Sequence, residues 1–347
     1  METCKSPRKV LNAAYALATA CLDERRSKFS RKDFTAPQLF ACLVLREHQK
    51  KSYRGLVALL RDCPEWCADI GLKKVPDRNT LCRAFHRLVK PGAVEAMLDK
   101  SVQTARQLER RRKKKRRSGR RRKDRRKRRV AALDSTMFES RHVSRHFEKR
   151  CKQSACQARK KQRRHEEAKQ RQAQKKAAKV EANRRRAMVV KRLPKLSLAV
   201  HAASHLILAA QATTGAGADC LHFVPLLSQA KARMSLKVAL ADAGYDSETN
   251  HYTARAVMGI RSLIPATAGR PGAKGPTGHY RRMMRRRLKA GPDKKCYGQR
   301  WQVETVNSMI KRNMGSACRA RTVWGRKKDI LLRSITHNIM LIANLEE

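Results

Sequence analysis

Two short apolar stretches that each end in an aspartate constrain the fold of this chain most strongly. Residues 130–133 are apolar and run directly into Asp134, and residues 236–241 are apolar except for Lys237 and run into Asp242. Apolar runs of this length are typical of buried strands. Strand ends on one edge of an α/β sheet converge at a crevice. The two aspartates are therefore predicted to lie close together at one edge of a sheet.

Other segments around these two strands complete an α/β pattern. Segments 196–200 and 206–210 predict a β-hairpin, and 260–265 predicts a further strand. Helices are expected at 220–234, from the Gly244–Asp246 turn to about 257, at 297–311 and, amphipathic, over 331–342, with a loop at 268–292. Asp219 and Glu248 are interpreted as helix caps. This order predicts an α/β domain with a mixed sheet.

The first hundred residues have the apolar spacing of helices. A short helix, a turn at 75–77 and a second helix that carries Arg78, Arg83 and Arg87 resemble a helix-turn-helix. An ordinary helical bundle with solvated basic residues explains the pattern equally well. Both interpretations place the three arginines on the surface, and the first makes them DNA-binding residues.

The charge of the chain points to a polyanionic partner. There are 83 Lys and Arg residues against 28 Asp and Glu, a net charge of +55, which repels itself unless a partner neutralises it. Nucleic acid is the first expectation and an acidic membrane surface the second. We expect no membrane span and no signal peptide, since no apolar run approaches the required length of about 20 residues.

Two basic segments interrupt the α/β pattern. Seventeen of the twenty residues at 110–129 are Lys or Arg, so we expect this segment to be extended when free and to neutralise phosphates when bound. A second basic segment at 139–194 separates the first two strands and is interpreted as an insertion at a hairpin. The eleven cysteines contain no Cys-x-x-Cys pair and are interpreted as buried or free thiols.

A single stripe of polar side chains is predicted on the late helix. At about 100° per residue, Tyr297, Arg300, Glu304 and Lys311 fall on one face of a helix over 297–311. Taken alone, this stripe is more typical of a solvated face with an Arg300–Glu304 ion pair, and the rest of the chain has to decide between the two interpretations.

Asp134, Asp242 and Glu304 together suit a site for Mg²⁺ or Mn²⁺. Carboxylate oxygens are preferred ligands of these ions, and a pair of ions about 3.5–4 Å apart catalyses phosphodiester cleavage. Each acid has a simpler alternative: Asp134 as a turn cap, Asp242 or Asp246 as a helix cap, and Glu304 as the partner of Arg300. Asp242 is preferred to Asp246 because it directly ends an apolar run.

Three motifs give the chain a specific resemblance. Asp134-Ser-Thr, Asp242-Ala-Gly-Tyr and Tyr297-x2-Arg300-x3-Glu304-x6-Lys311 resemble the catalytic motifs of bacterial and archaeal insertion-sequence transposases of the D-D-E class, in the subgroup with the Tyr-Arg-Glu-Lys signature. The resemblance covers 130–345 without the insertion, and the helical N-terminal part resembles that of the same transposases.

This resemblance implies an α/β, ribonuclease H-like catalytic domain at 130–347 that carries the basic insertion at 139–194. A basic linker at 106–129 and a helical DNA-binding domain at 1–105 precede it. Asp134, Asp242 and Glu304 are implied as ligands of two metal ions. Tyr297, Arg300 and Lys311 are implied to bind DNA at the element's end. Trp301 is expected either to stack on an unpaired base or, in the favoured interpretation, to pack inside.

The expected function is a DNA transposase that cuts the ends of its element and joins them to target DNA. The implied partners are double-stranded DNA and a second copy of the chain assembled on it, without a membrane, in a prokaryotic cytoplasm at the nucleoid. Two alternatives stay open: a related metal-dependent nuclease that does not join strands, and a catalytically inactive basic DNA-binding protein.

Overall fold

The N-terminal part of the chain is helical, as its apolar spacing predicts. The computed structural model describes residues 2–24, 33–115, 129–140, 193–215, 217–267, 275–291 and 293–346. Its first six helices are α1 (Pro7–Thr19), α2 (Ala36–His48), α3 (Tyr53–Asp62), α4 (Pro64–Asp69), α5 (Arg78–Leu88) and α6 (Pro91–Lys115).

Side chains that cap the first turn explain where several of these helices begin. Thr35 accepts a hydrogen bond from the backbone of Gln38, whose side chain bonds back to the Thr35 backbone, and Pro37 fits a first turn because its missing N–H has no helical partner there. Asp77 caps α5 by accepting a hydrogen bond from the Asn79 backbone. The predicted turn at 75–77 is therefore followed directly by a helix, as expected.

A mixed five-stranded sheet forms the centre of the second half. The strands of the chain are β1 (Val130–Met137), β2 (Glu139–Ser140), β3 (Pro194–His201), β4 (Ile207–Thr214), β5 (Val238–Leu240), β6 (Arg261–Leu263) and β7 (Ala317–Cys318). The sheet order is β4-β3-β1-β5-β6, and β2 pairs with β7 separately. The β3–β4 and β1–β3 pairs are antiparallel, whereas β1–β5 and β5–β6 are parallel. The predicted hairpin and mixed sheet are confirmed, and the architecture is compatible with a ribonuclease H-like domain.

The helices of this half are α7 (Cys220–Arg233), α8 (Glu248–Tyr252), α9 (His279–Ala290), α10 (Lys294–Tyr297), α11 (Trp301–Met314) and α12 (Val323–Leu345). Two expectations were wrong. The segment expected to be a loop at 268–292 contains α9, and the helix expected over 297–311 is divided, because a 3₁₀ turn at Gly298–Arg300 separates α10 from α11.

The closing helix α12 is central rather than amphipathic. Nearly all of its residues from Asp329 to Ala343 are buried, because α12 packs against α6, β4, α1, α2 and β3 at once. A helix that is covered on all sides has no solvent-facing stripe. The expected helix over 331–342 is confirmed, but its polar side is buried too, so it has no solvent-facing stripe.

A single cluster of buried apolar side chains joins the two halves. It includes Leu43 of α2, Leu198 of β3, Val306 of α11 and Ile339 of α12, so the expected N-terminal and catalytic domains share a core. Most of the basic linker and nearly all of the insertion, at 116–128 and 141–192, lie outside the described residues. The nine cysteines in the described ranges are free thiols. Within those ranges, no helix is long and apolar enough to cross a membrane.

Candidate active site

Asp134 and Asp242 lie at equivalent positions along neighbouring parallel strands. The expectation that Asp134 ends its strand was wrong, because β1 continues to Met137 in its pairing with β3. In the β1–β5 register Ala132 pairs with Leu240, so each aspartate lies two residues beyond this pair. Asp134 is partly buried within β1, whereas Asp242 immediately follows β5 and caps a 3₁₀ turn, with its Oδ1 accepting a hydrogen bond from the Gly244 backbone at 3.0 Å. The register therefore brings both carboxylates to one edge of the sheet.

Helix α11 brings the third carboxylate to the same edge. Val303, Val306 and Ile310 are fully buried on one side of α11, which packs against β1 and β3. Glu304 lies on the other side with about half of its side chain exposed (52%). The helix is thereby fixed by its apolar side while Glu304 stays open to solvent.

Asn307 is a site residue that the sequence did not indicate. Its Nδ2 donates a hydrogen bond to Oδ2 of Asp134 at 3.2 Å, and its side chain is almost fully buried. The position lies three residues after Glu304, on the next turn of α11. The sequence offered one indication, a polar residue three positions after an expected catalytic acid. Only the packing of α11 on β1 shows that this residue contacts Asp134.

Like charges surround Asp134. The pKa of Asp134 is raised to about 6, mainly by burial and also by the carboxylates of Asp242 and Glu304, whereas the Ser135 backbone and Arg300 lower it. A nearby carboxylate disfavours the ionised form of its neighbour. The three acids therefore act on one another electrostatically.

Arg300 contributes the ion pair that the simpler interpretation of this helix predicts. Its Nη2 lies 2.5 Å from Oε1 of Glu304. Arg300 also interacts electrostatically with Asp134, so the pair faces the sheet edge and is not an isolated surface contact. The Arg300–Glu304 ion pair therefore lies at the same edge of the sheet as the three acids.

Tyr297 and Lys311 complete the polar stripe. Burial raises the pKa of Tyr297, against the lowering effect of Arg300, which bonds to it. Burial lowers the pKa of Lys311, against the acids Glu139 and Asp134, and its Nζ lies 5.4 Å from the ring centre of Phe138. All four residues of the stripe are therefore close to the aspartates, although a 3₁₀ turn separates Tyr297 from α11.

Trp301 is not packed inside. Its side chain is 54% exposed at the start of α11, because the buried side of that helix is already occupied by smaller apolar residues. The favoured expectation of internal packing was wrong, and the indole ring is available to a ligand.

Asp219 does not cap α7, contrary to expectation. Its side chain makes no cap hydrogen bond and instead lies 2.5 Å from Nζ of Lys195 and 2.6 Å from Oγ of Ser135. The Ser135 hydroxyl also contacts the Tyr245 hydroxyl and Oγ of Ser197, both at 2.8 Å. This network fixes the residue after Asp134 to the turn that follows Asp242.

The neighbouring acids are used for structure. Asp246 pairs with Arg281 at 2.7 Å and accepts a hydrogen bond from the Thr267 backbone. Glu248 is a helix cap, as expected, but of α9: it accepts hydrogen bonds from the backbones of Tyr280 and Arg281. Asp246 and Glu248 are therefore already paired with groups of the fold. This agrees with the preference for Asp242 over Asp246 as a metal ligand.

Arg78, Arg83 and Arg87 are exposed on α5. That helix packs mainly against α2 and α3. These contacts do not place the arginines with the three acids. Arg83 and Arg87 lie within about 40° of each other around α5, whereas Arg78 lies on a different side at the start of the helix.

The residues at the sheet edge fit a divalent cation chemically. Three carboxylates provide the oxygen donors that Mg²⁺ and Mn²⁺ prefer. The pKa of Asp134 is raised by burial first and then by the charges of Asp242 and Glu304, and a cation would relieve that repulsion. Among the residues in the described ranges, no three His, Cys, Asp or Glu side chains already lie close enough to form a metal cluster.

Comparison with known proteins adds one finding. The family model for the transposase DDE domain matches residues 125–339, a range that contains the three acids, the polar stripe and the basic insertion. No curated protein and no solved structure matches the chain.

Proposed function

The chain belongs to the family of transposases with a DDE domain, and from this premise we propose that it cuts the ends of a DNA element and joins them to target DNA. The chemistry is metal-dependent phosphodiester hydrolysis followed by transesterification. The observation that supports this proposal is that Asp242 and Glu304 act electrostatically on Asp134: burial is the main cause of its raised pKa, and the charges of these two carboxylates raise it in the same direction. Carboxylates repel DNA phosphates unless cations lie between them.

Asp134, Asp242 and Glu304 would hold two Mg²⁺ or Mn²⁺ ions. When bound, these ions supply the positive charge that activates a water or 3′ hydroxyl and stabilises the leaving oxygen. Asn307 orients the Asp134 carboxylate through its hydrogen bond. The Ser135–Tyr245 contact keeps the β1 and β5 ends in fixed relation, since a reacting group needs its geometry held closely.

Arg300 has two acidic neighbours and a flexible side chain. We propose that its guanidinium neutralises Glu304 in the free protein and turns to a DNA phosphate when cations take over the carboxylate. Tyr297 and Lys311 border the same site and contact the strand to be cut. Trp301, being exposed, stacks on an unpaired base beside it.

The remaining parts of the proposal concern DNA at a distance from the cut. The helical region 1–105 binds duplex DNA through Arg78, Arg83 and Arg87, the segments 106–129 and 139–194 neutralise further phosphates, and two copies assemble on paired ends at the nucleoid. Their support is the net charge of +55 and the exposure of the three arginines.

The test is an assay of Asp242→Asn on DNA that carries the gene's own flanking ends. We expect binding to persist and Mg²⁺-dependent cleavage to be abolished, because an amide is a poor replacement for a charged metal ligand. Asp99→Asn is the matched control, since Asp99 is an exposed acid paired with Arg233, and it should cleave normally. Cleavage by Asp242→Asn near the wild-type rate would refute the assignment.

Strand joining needs its own measurement. With ends that are already cut, wild-type protein should join them to a target duplex, and Asp242→Asn should not. Cleavage without joining would identify a nuclease, and binding without either reaction would identify an inactive DNA-binding protein.

A further inference from the structure

Two large apolar side chains are exposed at the start of the buried helix α12. Trp324 is 75% exposed and Val323 is 44% exposed, and nothing in the described part of the chain covers them. Thr322 caps the helix by accepting a hydrogen bond from the Gly325 backbone at 3.0 Å. An exposed tryptophan on an ordered turn is unusual because large apolar surface is normally buried, and such patches mark interaction sites.

The turn that carries Trp324 is tightly packed. A Cβ atom at Gly325 would lie 2.8 Å from Cβ of Ala320 and 2.9 Å from Oγ1 of Thr322, distances too short for a side chain. The position therefore favours glycine because of close contact. The indole ring is presented on a rigid turn, which lowers the conformational cost of binding a partner.

The charge around Trp324 is strongly positive. Residues 319–328 include five Lys and Arg and no acid. The next acid, Asp329, is buried and is used inside the fold by Arg46 and by the backbones of Arg319 and Ala320. Arg321 is exposed, and Nζ of Lys327 lies 5.2 Å from the ring centre of Trp324. A basic patch with an exposed aromatic ring is complementary to nucleic acid.

This patch continues onto the face of α5. Nζ of Lys328 donates a hydrogen bond to the His86 carbonyl, and a Cβ at Gly325 would lie 3.9 Å from Cε1 of His86. At about 100° per residue, Asn79 and Arg83 lie within roughly 60° of His86 around α5. Residues separated by more than 200 positions in the chain thus form one basic surface.

We propose that Arg321, Trp324 and Lys327, together with Asn79 and Arg83 of α5, form a docking surface for duplex DNA. The inference rests on the proposed function in taking DNA as the ligand, but it assigns binding to the start of α12, away from the acids. A second copy of the chain is a poorer occupant, because two copies that each carry a net charge of +55 repel each other. The basic residues neutralise phosphates, and the indole ring packs against the sugar-phosphate backbone of the duplex.

The first test measures the affinity for duplex DNA of the full chain with EDTA present, over a range of salt concentrations. Trp324→Ala should weaken binding about tenfold at every salt concentration without changing the slope of log affinity against log salt, because an uncharged apolar contact releases no counterion. Arg321→Ala combined with Lys327→Ala should reduce that slope by about 1.8, or about 0.9 per phosphate contact. Leu221→Ala, which removes another exposed apolar side chain (74%), is the control and should bind normally.

The second test observes Trp324 directly. The chain has three tryptophans, so Trp66→Phe with Trp301→Phe leaves Trp324 as the sole indole fluorophore. Acrylamide should quench this fluorescence strongly in free protein and much less in the duplex complex, whose formation is followed by anisotropy of labelled DNA. If the Trp66→Phe, Trp301→Phe variant does not bind DNA, the affinities of Trp324→Ala and of the Leu221→Ala control decide whether the indole contacts the duplex.

Three results overturn the inference. Normal affinity of Trp324→Ala would show that the indole makes no contact. Protection of Trp324 by increasing protein concentration without DNA would identify a second copy as the occupant. Equal protection by single-stranded DNA of the same length would contradict a duplex surface.

The two proposals fail separately. Normal cleavage by Asp242→Asn with weak binding by Trp324→Ala would refute the active site and keep the docking surface. Loss of cleavage in Asp242→Asn with normal binding by Trp324→Ala would support the proposed active site and refute the docking surface.

Discussion

Two groups of carboxylates in this protein have opposite electrostatic environments. In the interior, Glu47 of α2 and Asp329 of α12 meet the three guanidinium groups of Arg46, Arg319 and Arg333. At the sheet edge, the three acids Asp134, Asp242 and Glu304 meet Arg300 and, at longer range, Lys311. Positive charge is in excess in the interior group and deficient at the edge.

The interior group is a structural connection. Glu47 and Arg333 are fully buried, and Nε of Arg333 lies 3.2 Å from Oε2 of Glu47. Burial alone would raise the pKa of Glu47, but Arg46, Arg333 and Arg319 hold it below its usual value. The guanidinium of Arg46 also lies over the ring of Tyr53 at 4.3 Å. These contacts join the N-terminal helices to α12 without needing anything from outside the fold.

The edge group lacks this internal compensation. Burial, and after it the carboxylates of Asp242 and Glu304, raise the pKa of Asp134, and Glu304 is half exposed. The difference teaches that burial with matching guanidinium groups makes a carboxylate structural. A carboxylate that lies next to other carboxylates at a solvent-exposed edge is instead suited to bind cations.

The largest expected effect is on the edge group. Glu304→Gln should lower the rate of metal-dependent DNA cleavage by about 10³-fold or more, roughly 4 kcal/mol in the activation barrier. It should change the free energy of unfolding by less than about 0.5 kcal/mol, since the side chain is largely exposed. Single-turnover cleavage and urea unfolding measure the two quantities. If Glu304→Gln unfolded easily but cleaved DNA normally, Glu304 would be a structural residue and not a catalytic one.

Glu47→Gln should show the opposite pattern. It leaves three buried guanidinium groups with one carboxylate, and breaking such a group by removing one partner costs about 3–5 kcal/mol of unfolding free energy. The variant's residual folded fraction should still bind Mn²⁺. Asp99→Asn, which removes an exposed acid paired with Arg233, should be far milder in the same urea titration. Equal stability of the two variants would mean that the interior group is not structural.

A smaller effect is expected from added metal. Mn²⁺ at about 100 times its dissociation constant should stabilise the wild-type protein by about 2.7 kcal/mol, because the cation relieves repulsion among the edge acids. A thermal melt without DNA measures this shift. Asp134→Asn should lose most of it and Asp99→Asn should keep it. A full shift in Asp134→Asn would place the cation elsewhere.

Local patterns determined much of the fold. The Asp134 and Asp242 strands, the hairpin of β3 and β4 and the cap at Thr35 follow from short-range propensities and apolar periodicity, which few long-range contacts can override. The three acids also follow from the sequence, because strand ends and helix faces are set by periods of two and about 3.6 residues. The match of the DDE domain to 125–339 agrees with the predicted transposase family.

Long-range contacts decided the roles of particular polar residues. Asp219 looks like a cap by position, but Lys195 and Ser135 compete for its carboxylate. Asn307 becomes a partner of Asp134 only because α11 packs on β1. Trp301 stays exposed because other side chains fill the space beneath α11.

The sequence by itself determined most of the secondary structure around the candidate site and which acids are candidates for it, since these depend on neighbours a few positions apart, and its composition determined the net charge of +55. Only the tertiary structure decided which charges are compensated, that α12 is buried on all sides and that Trp324 joins the face of α5. Compensation depends on distances between segments far apart in the chain, and no local period specifies those distances.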